Sequence, residues 1–209
     1  MSQWIDITRP VGDDLLCWPG RRPPEHTWEK RLVEGDHCNV SKWILNAHTG
    51  THIDAPLHFF DGGASIDQIS PDILAGPCRV IYLEPGCAQL NATQVEEFCG
   101  EARLLIRTSH SAPGNAYADH PALMSAAAAT VLVESGLVMI GTDRLSVDDS
   151  PPTDYSLHHI FLGAPCIIIE GLSLAGIEPG RYEVFASPLR LEDAEASPAR
   201  VFLSPSPAM

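Results

Sequence analysis

Positive charge is scarce in this chain. Its 209 residues carry 13 Lys+Arg against 27 Asp+Glu, a formal charge of −14. Such a surface repels phosphate backbones and anionic lipid, so nucleic acid and membranes are excluded as partners. Long apolar runs are missing too: no window approaches 18 uninterrupted apolar residues, so no membrane span is expected. The opening Met1-Ser2-Gln3-Trp4-Ile5-Asp6 has neither the basic stretch nor the apolar core of a secretory leader, and a cytoplasmic location is expected. Cysteines are few and scattered. Cys17, Cys38, Cys78, Cys87, Cys99 and Cys166 form no C-x-x-C pair, so reduced thiols in or near the core are expected rather than a disulfide framework. There is no G-x-G-x-x-G and no G-x-x-x-x-G-K-[ST], which removes dinucleotide and P-loop chemistry. No internal repeat and no Gly/Ser linker divides the chain, so residues 1–209 read as a single domain.

What is present is a pattern of short apolar runs. Cys78–Leu83, Leu104–Arg107, Leu137–Ile140 and Cys166–Ile169 are most often bounded by Gly or Pro and suit buried strands. Two helical stretches lie between them. One is Thr93–Phe98, with Thr93 as N-cap and Glu96 completing a capping box. The other is Pro121–Ser135, closed by Gly136 at C′. Near the start, Trp4–Ile7 and Asn39–Ala47 read as strands, whereas the prolines at 19, 23 and 24 preclude regular structure between 17 and 24. Tyr182–Phe185 and Arg200–Leu203 add edge or hairpin strands. Strands alternating with helices predict an α/β fold with a mixed sheet.

The segment His48-Thr49-Gly50-Thr51-His52-Ile53-Asp54-Ala55-Pro56-Leu57-His58 concentrates three imidazoles and a carboxylate. Those are the ligand types of Zn²⁺ and of ions such as Mn²⁺. Fully extended, His48 and His52 would have Cα atoms roughly 13 Å apart, too far for two bonds of about 2.1 Å to one ion. The chain therefore has to bend, and Gly50 is the residue suited to do so. A second cluster, Asp154-Tyr155-Ser156-Leu157-His158-His159, precedes a strand that ends in Glu170. A carboxylate closing an apolar strand costs several kcal/mol if buried unpaired, and a cation removes that cost. Gly171-Leu172-Ser173-Leu174-Ala175 misses the last glycine of a nucleophile elbow, so a serine mechanism is disfavoured.

His48-x-Gly50-Thr51-His52-x-Asp54-x-Pro56-x-His58 resembles the signature of the metal-dependent cyclase family. The resemblance extends through Trp18-Pro19-Gly20, Ile140-Gly141-Thr142-Asp143 with Ser146 and Asp148, and His158 with Glu170-Gly171-Leu172. Length and the Trp-Pro-Gly are most similar to its kynurenine formamidase (arylformamidase) branch. The resemblance implies a swivelling β/β/α type of fold and a homo-oligomer, commonly a dimer. It implies two divalent ions per subunit, Zn²⁺ foremost and Mn²⁺ as the alternative. His48, His52 and Asp54 would hold the first, and Asp54, His158 and Glu170 the second. His158 rather than His159 has the family's spacing to the glutamate. His58 would be the proton-transfer residue, a histidine titrating near pH 6.5, and Trp18 a wall of the substrate pocket.

A cation lowers the pKa of bound water from about 15.7 towards 7, so the implied reaction is attack of a metal-bound hydroxide on an amide carbonyl. The implied substrate is the small-molecule amide N-formyl-L-kynurenine, released as L-kynurenine and formate. Two readings stay open beside it: hydrolysis of a cyclic amide, imide or lactone, as in isatin hydrolase, or a non-catalytic metal-binding module. Residues 144–149 depart from the arylformamidase pattern and residues 110–117 point to no one substrate, so the substrate is undetermined within the family.

Overall fold

The computed structural model describes residues 4–84, 87, 89–108 and 120–206. The strands are β1 (Ile5–Asp6), β2 (Glu25–Lys30), β3 (Val40–Ile44), β4 (His52–Asp54), β5 (Ala75–Tyr82), β6 (Arg103–Arg107), β7 (Met139–Thr142), β8 (Ile167–Glu170), β9 (Gly180–Pro188) and β10 (Ala196–Pro205). Four α-helices accompany them: α1 (Pro71–Leu74), α2 (Ala92–Val95), α3 (Ala126–Glu134) and α4 (Ser156–Leu162).

The apolar runs build the centre of the sheet. β5, β6, β7 and β8 pair in parallel, and α2, α3 and α4 fall in the three crossovers between them. β4 is antiparallel between β8 and β10. β9 pairs with both β5 and β10, which closes the sheet into a barrel. The two C-terminal strands do form the expected hairpin, but β9 is no edge. It is the strand that removes the edge, and it spans nine residues because it must pair on both sides.

Both faces of the parallel strands are buried, which is why they read as continuous apolar runs. Leu104, Ile106, Ile140 and Ile168 face the helices with Leu132, Leu157 and Phe161. Leu105, Met139, Ile167 and Ile169 face the barrel interior with Ile53, Val80, Val184 and Val201. Alternation then places the site. Since Ile53 and Ile169 point inward, His52, Asp54 and Glu170 lie on the outer face, beneath α4.

Three sequence expectations change. The capping box belongs to Asn91 and Gln94, not Thr93 and Glu96. Asn91 Oδ1 accepts from Gln94 N–H (3.1 Å) and Gln94 Oε1 from Asn91 N–H (2.9 Å), so the helix begins two residues earlier. α3 starts at Ala126, capped by Ser125, because residues 123–125 are tied to Leu90 and Val147 by backbone hydrogen bonds. Its expected end holds: Gly136 has φ +101°, Gly136 N–H bonds to Val133 C=O and Leu137 N–H to Leu132 C=O, a Schellman closure. Strand β2 carries no sequence signal, since β2 and β3 form a separate two-stranded ribbon exposed on both faces. Of the six cysteines, all unbridged, only Cys78 and Cys166 are buried; Cys38 and Cys99 are exposed. Among the described residues no helix is long and apolar enough to cross a membrane.

Candidate metal centre

The signature segment is bent as its geometry demands. Residues 46–49 make a turn (Thr49 N–H to Asn46 C=O, 3.0 Å), and Gly50 takes φ +64° before β4 begins at His52. The Gly50 carbonyl then accepts a hydrogen bond from His52 Nδ1 (2.9 Å). That fixes the tautomer: Nδ1 carries the proton and Nε2 offers a lone pair to the site. Gly171, just after β8, has φ +68°, and a Cβ there would meet the same Gly50 oxygen at 2.5 Å. Only glycine allows β8 and the bend to close on each other.

His52 faces Glu170 across the β4–β8 pair. His52 Nε2 lies 3.5 Å from Asp54 Oδ1 and 3.6 Å from Glu170 Oε2. His158, from α4, approaches from above, with Nε2 3.6 Å from Asp54 Oδ2 and 3.5 Å from Glu170 Oε1. His48 Nδ1 is 2.8 Å from Asp54 Oδ1. His58, on the 3-10 turn Pro56–His58, packs its ring on His48 at 4.3 Å. The other four residues expected as ligands therefore gather around Asp54, which is fully buried, and His58 sits beside them. His159 is exposed and packs edge-on against Phe59 and Phe60. Ser173 donates its N–H to Ile7 and lies outside the cavity.

This donor set fits a cation. His52 Nε2 and both oxygens of Asp54 are buried and make no hydrogen bond of good geometry among the described residues, although His48 and His158 lie within ion-pair distance of Asp54. Such atoms cost free energy unless something compensates them. Two groups of ligand atoms lie close enough to share an ion: His48, Asp54 and His58, and His52, Asp54 and Glu170.

Electrostatics follow the same crowding. Burial pushes Glu170 up to about 8, aided by Asp54 and opposed by His158. For His158, burial pulls downward, but the bonds to Asp148 and Asp54 and the charge of Glu170 outweigh it and raise it to about 10. Asp54, despite its burial, is held well below the usual carboxylate range by His52, His158 and His48. Burial lowers His52. His58 departs from expectation: burial, with His48 and His158 nearby, depresses it to about 4 against the pull of Asp54, not the expected 6.5. It is a neutral base at pH 7.

Residues 146–148 organise the second half of the site, a role the sequence reading missed. Val147 N–H bonds to Glu170 Oε1 at 2.9 Å. Asp148 accepts from the N–H groups of Leu157 (2.8 Å) and His158 (3.3 Å) and contacts His158 Nδ1 at 2.5 Å. A buried acid flanked by Ser146 was the available signal. The 110–117 segment lies outside the described residues.

Above the cluster is a cavity of about 180 Å³, open to solvent and walled by Trp18, Phe59, Tyr155 and Leu145.

A family model described as "Putative cyclase" matches residues 5–149. The kynurenine formamidase of Bacillus thuringiensis (strain Al Hakam) is 36% identical over 208 residues, covering 98% of each chain. A solved structure titled a potential metal-dependent hydrolase with cyclase activity superposes with a TM-score of 0.84, at 28% identity and 100% coverage of both chains. Isatin hydrolase A from Labrenzia aggregata, bound to benzyl benzoate, gives 0.82 at 23% identity, covering 99% of this chain and 94% of its own, a likeness of fold. With its bent histidine segment, its buried carboxylate hub and these relatives, the chain belongs to the cyclase family of metal-dependent hydrolases.

Proposed function

We propose that the protein is a metal-dependent amidohydrolase that cleaves N-formyl-L-kynurenine, an aryl formamide, to L-kynurenine and formate. The observation that carries the proposal is the convergence of His48, His52, His158 and Glu170 on a buried Asp54, with His52 Nε2 and both Asp54 oxygens in no hydrogen bond of good geometry among the described residues, beneath an aromatic-walled cavity. His48, His52 and Asp54 would hold one divalent ion; Asp54, His158 and Glu170 would hold a second, with Asp54 shared. Zn²⁺ suits these imidazole and carboxylate donors best, with Mn²⁺ as the alternative. When bound, the ions supply Lewis acidity: acidification of water and polarisation of a carbonyl.

The chain's own residues do the rest. Trp18 stacks on the aryl ring and, with Phe59 and Tyr155, fixes the formamide over Asp54. Neutral at pH 7, His58 takes a proton as water adds to the formyl carbon. The protonated ring, an acid far stronger than an ordinary imidazolium, then delivers that proton to the departing nitrogen. The C–N bond breaks, the amine leaves neutral, and the oxygen of water stays with formate. The reading includes a cytoplasmic homodimer or higher homo-oligomer as the working form.

The test is turnover of N-formyl-L-kynurenine by protein stripped with EDTA and reloaded with Zn²⁺ or Mn²⁺, beside isatin and simple lactones. Activity on the formamide, lost with chelator and restored by metal, supports the proposal. Preference for isatin or a lactone moves it to the cyclic-substrate branch, and no activity on any of them identifies a metal-binding module.

A further inference from the structure

Among the described residues one arginine, Arg21, lines the cavity above this cluster. The turn Trp18-Pro19-Gly20-Arg21 closes with Arg21 N–H on the Trp18 carbonyl (3.0 Å) and with Gly20 at φ +81°. It folds the chain back so that Arg21 follows Trp18 onto the rim. Arg21 Nη1 bonds to Asn46 Oδ1 at 2.6 Å. The same oxygen accepts the N–H of His48 at 2.9 Å. The guanidinium is thus tied, through one carboxamide oxygen, to the turn that presents the first candidate ligand.

That anchoring uses one of five guanidinium donors. Among the described residues Arg21 has no carboxylate partner, although the chain carries 27 acidic side chains. It is exposed at the mouth, and its charge reaches His52 on the floor. An arginine that is held, unneutralised and facing a cavity is built to meet a planar anion, because its fork matches a carboxylate two bonds at a time.

We propose that Arg21, positioned by Asn46, binds a carboxylate borne by the substrate away from the scissile bond, and so selects anionic aryl amides over neutral ones. This rests on the amidohydrolase reading and narrows its substrate class. A free α-carboxylate on a side chain ortho to the amide fits the requirement; a bare formanilide does not.

The experiment compares wild type, Arg21→Gln and Arg21→Lys, metal-loaded. Each is measured for kcat/KM on N-formyl-L-kynurenine and on 2-formamidoacetophenone, which lacks the carboxylate. Equilibrium binding of the corresponding amines, L-kynurenine and 2-aminoacetophenone, is measured alongside. Arg21→Gln should lower the anionic-to-neutral ratio about 10- to 100-fold, the size of a lost charge-assisted pair. Arg21→Lys should recover part of it, and added salt should shrink the wild-type ratio. Equal losses on both compounds, or no change in either ratio, overturn the inference. Turnover without an Arg21-dependent ratio leaves the amidohydrolase reading standing and removes this one. Arg21-dependent binding of L-kynurenine without turnover does the reverse, and absence of both removes both.

Discussion

Asp148 Oδ2 sits 2.5 Å from Nδ1 of His158, and the same carboxylate caps the backbone N–H groups of Leu157 and His158. The acid therefore holds both the imidazole and the first turn of the helix that delivers it. His158 Nε2 is left facing Asp54 and Glu170. Removing the carboxylate frees the ring to rotate and weakens its basicity. Asp148→Asn is expected to lower metal affinity about 10- to 100-fold while the protein stays folded. Chelator competition reads the affinity and circular dichroism the fold; an unchanged metal affinity would falsify the positioning role.

His58 is assigned the proton, not the metal. His58→Ala should lower kcat by about 10²- to 10⁴-fold with metal content retained. Loss of bound metal in parallel with activity would instead make His58 a ligand, as its closeness to His48 and Asp54 allows. The pH profile carries the sign. The neutral ring is the working form and titrates at about 4, so kcat/KM should be level from pH 6 upward as far as His58 is concerned. Its acid limb should appear only as pH falls through 4 to 5.

Metal uptake should release protons. With His158 at about 10 and Glu170 at about 8, the stripped protein holds protons in the cluster at pH 7 that a cation must displace. Titration calorimetry in buffers of different ionisation enthalpy should report at least one proton released per protein. Zero release contradicts the assigned ligand set.

The same shifts fix how stability of the stripped protein varies with pH. Both groups bind protons more tightly folded than unfolded, where their values are 6.5 and 4.5. The folded state therefore holds the excess of protons, and stability falls as pH rises from 7 through 10. Reloading with metal should flatten that slope, because the cation takes the protons' place. A melting temperature of stripped protein that climbs over this interval would sink the assignment.

Gly171→Ala tests the bend. At φ +68° an alanine costs about 1–3 kcal/mol, and its Cβ would also strike the Gly50 carbonyl at 2.5 Å. Gly100 has φ +88° with open space around it, so Gly100→Ala isolates the backbone part. Urea unfolding should show the larger loss at 171, with weakened metal binding there alone, since the displaced oxygen is the one that orients His52.

How much of this was legible depended on sequence distance. His48, His52, Asp54 and His58 lie within eleven residues, so a bend at Gly50 sufficed to group them. Glu170 betrayed itself as an acid ending an apolar strand. Asp148 entered only through the family resemblance and without a role, because an aspartate in a Ser- and Asp-rich loop looks like any turn residue until α4 lays His158 against it. Arg21 carries no signal of its own in the sequence, and only the turn at Gly20 brings it to the rim. β2 was hidden because a ribbon exposed on both faces has no period-2 burial to display. The helix caps slipped by two residues because Asn91 and Gln94 competed with Thr93 and Glu96, and tertiary pairing at Leu90 decided between them.

By itself the sequence determined the candidate ligand types, the apolar strands and the acidic charge balance, since residue type and local spacing are enough for each. Tertiary structure decided the rest. It closed the barrel through β9, stacked His52 opposite Glu170 across one strand pair, and buried Asp54 among three histidines. It also lowered His58 and raised His158, two histidines that are alike as letters. Burial and neighbouring charge are properties of the folded surroundings, and they separate a neutral imidazole from a protonated one.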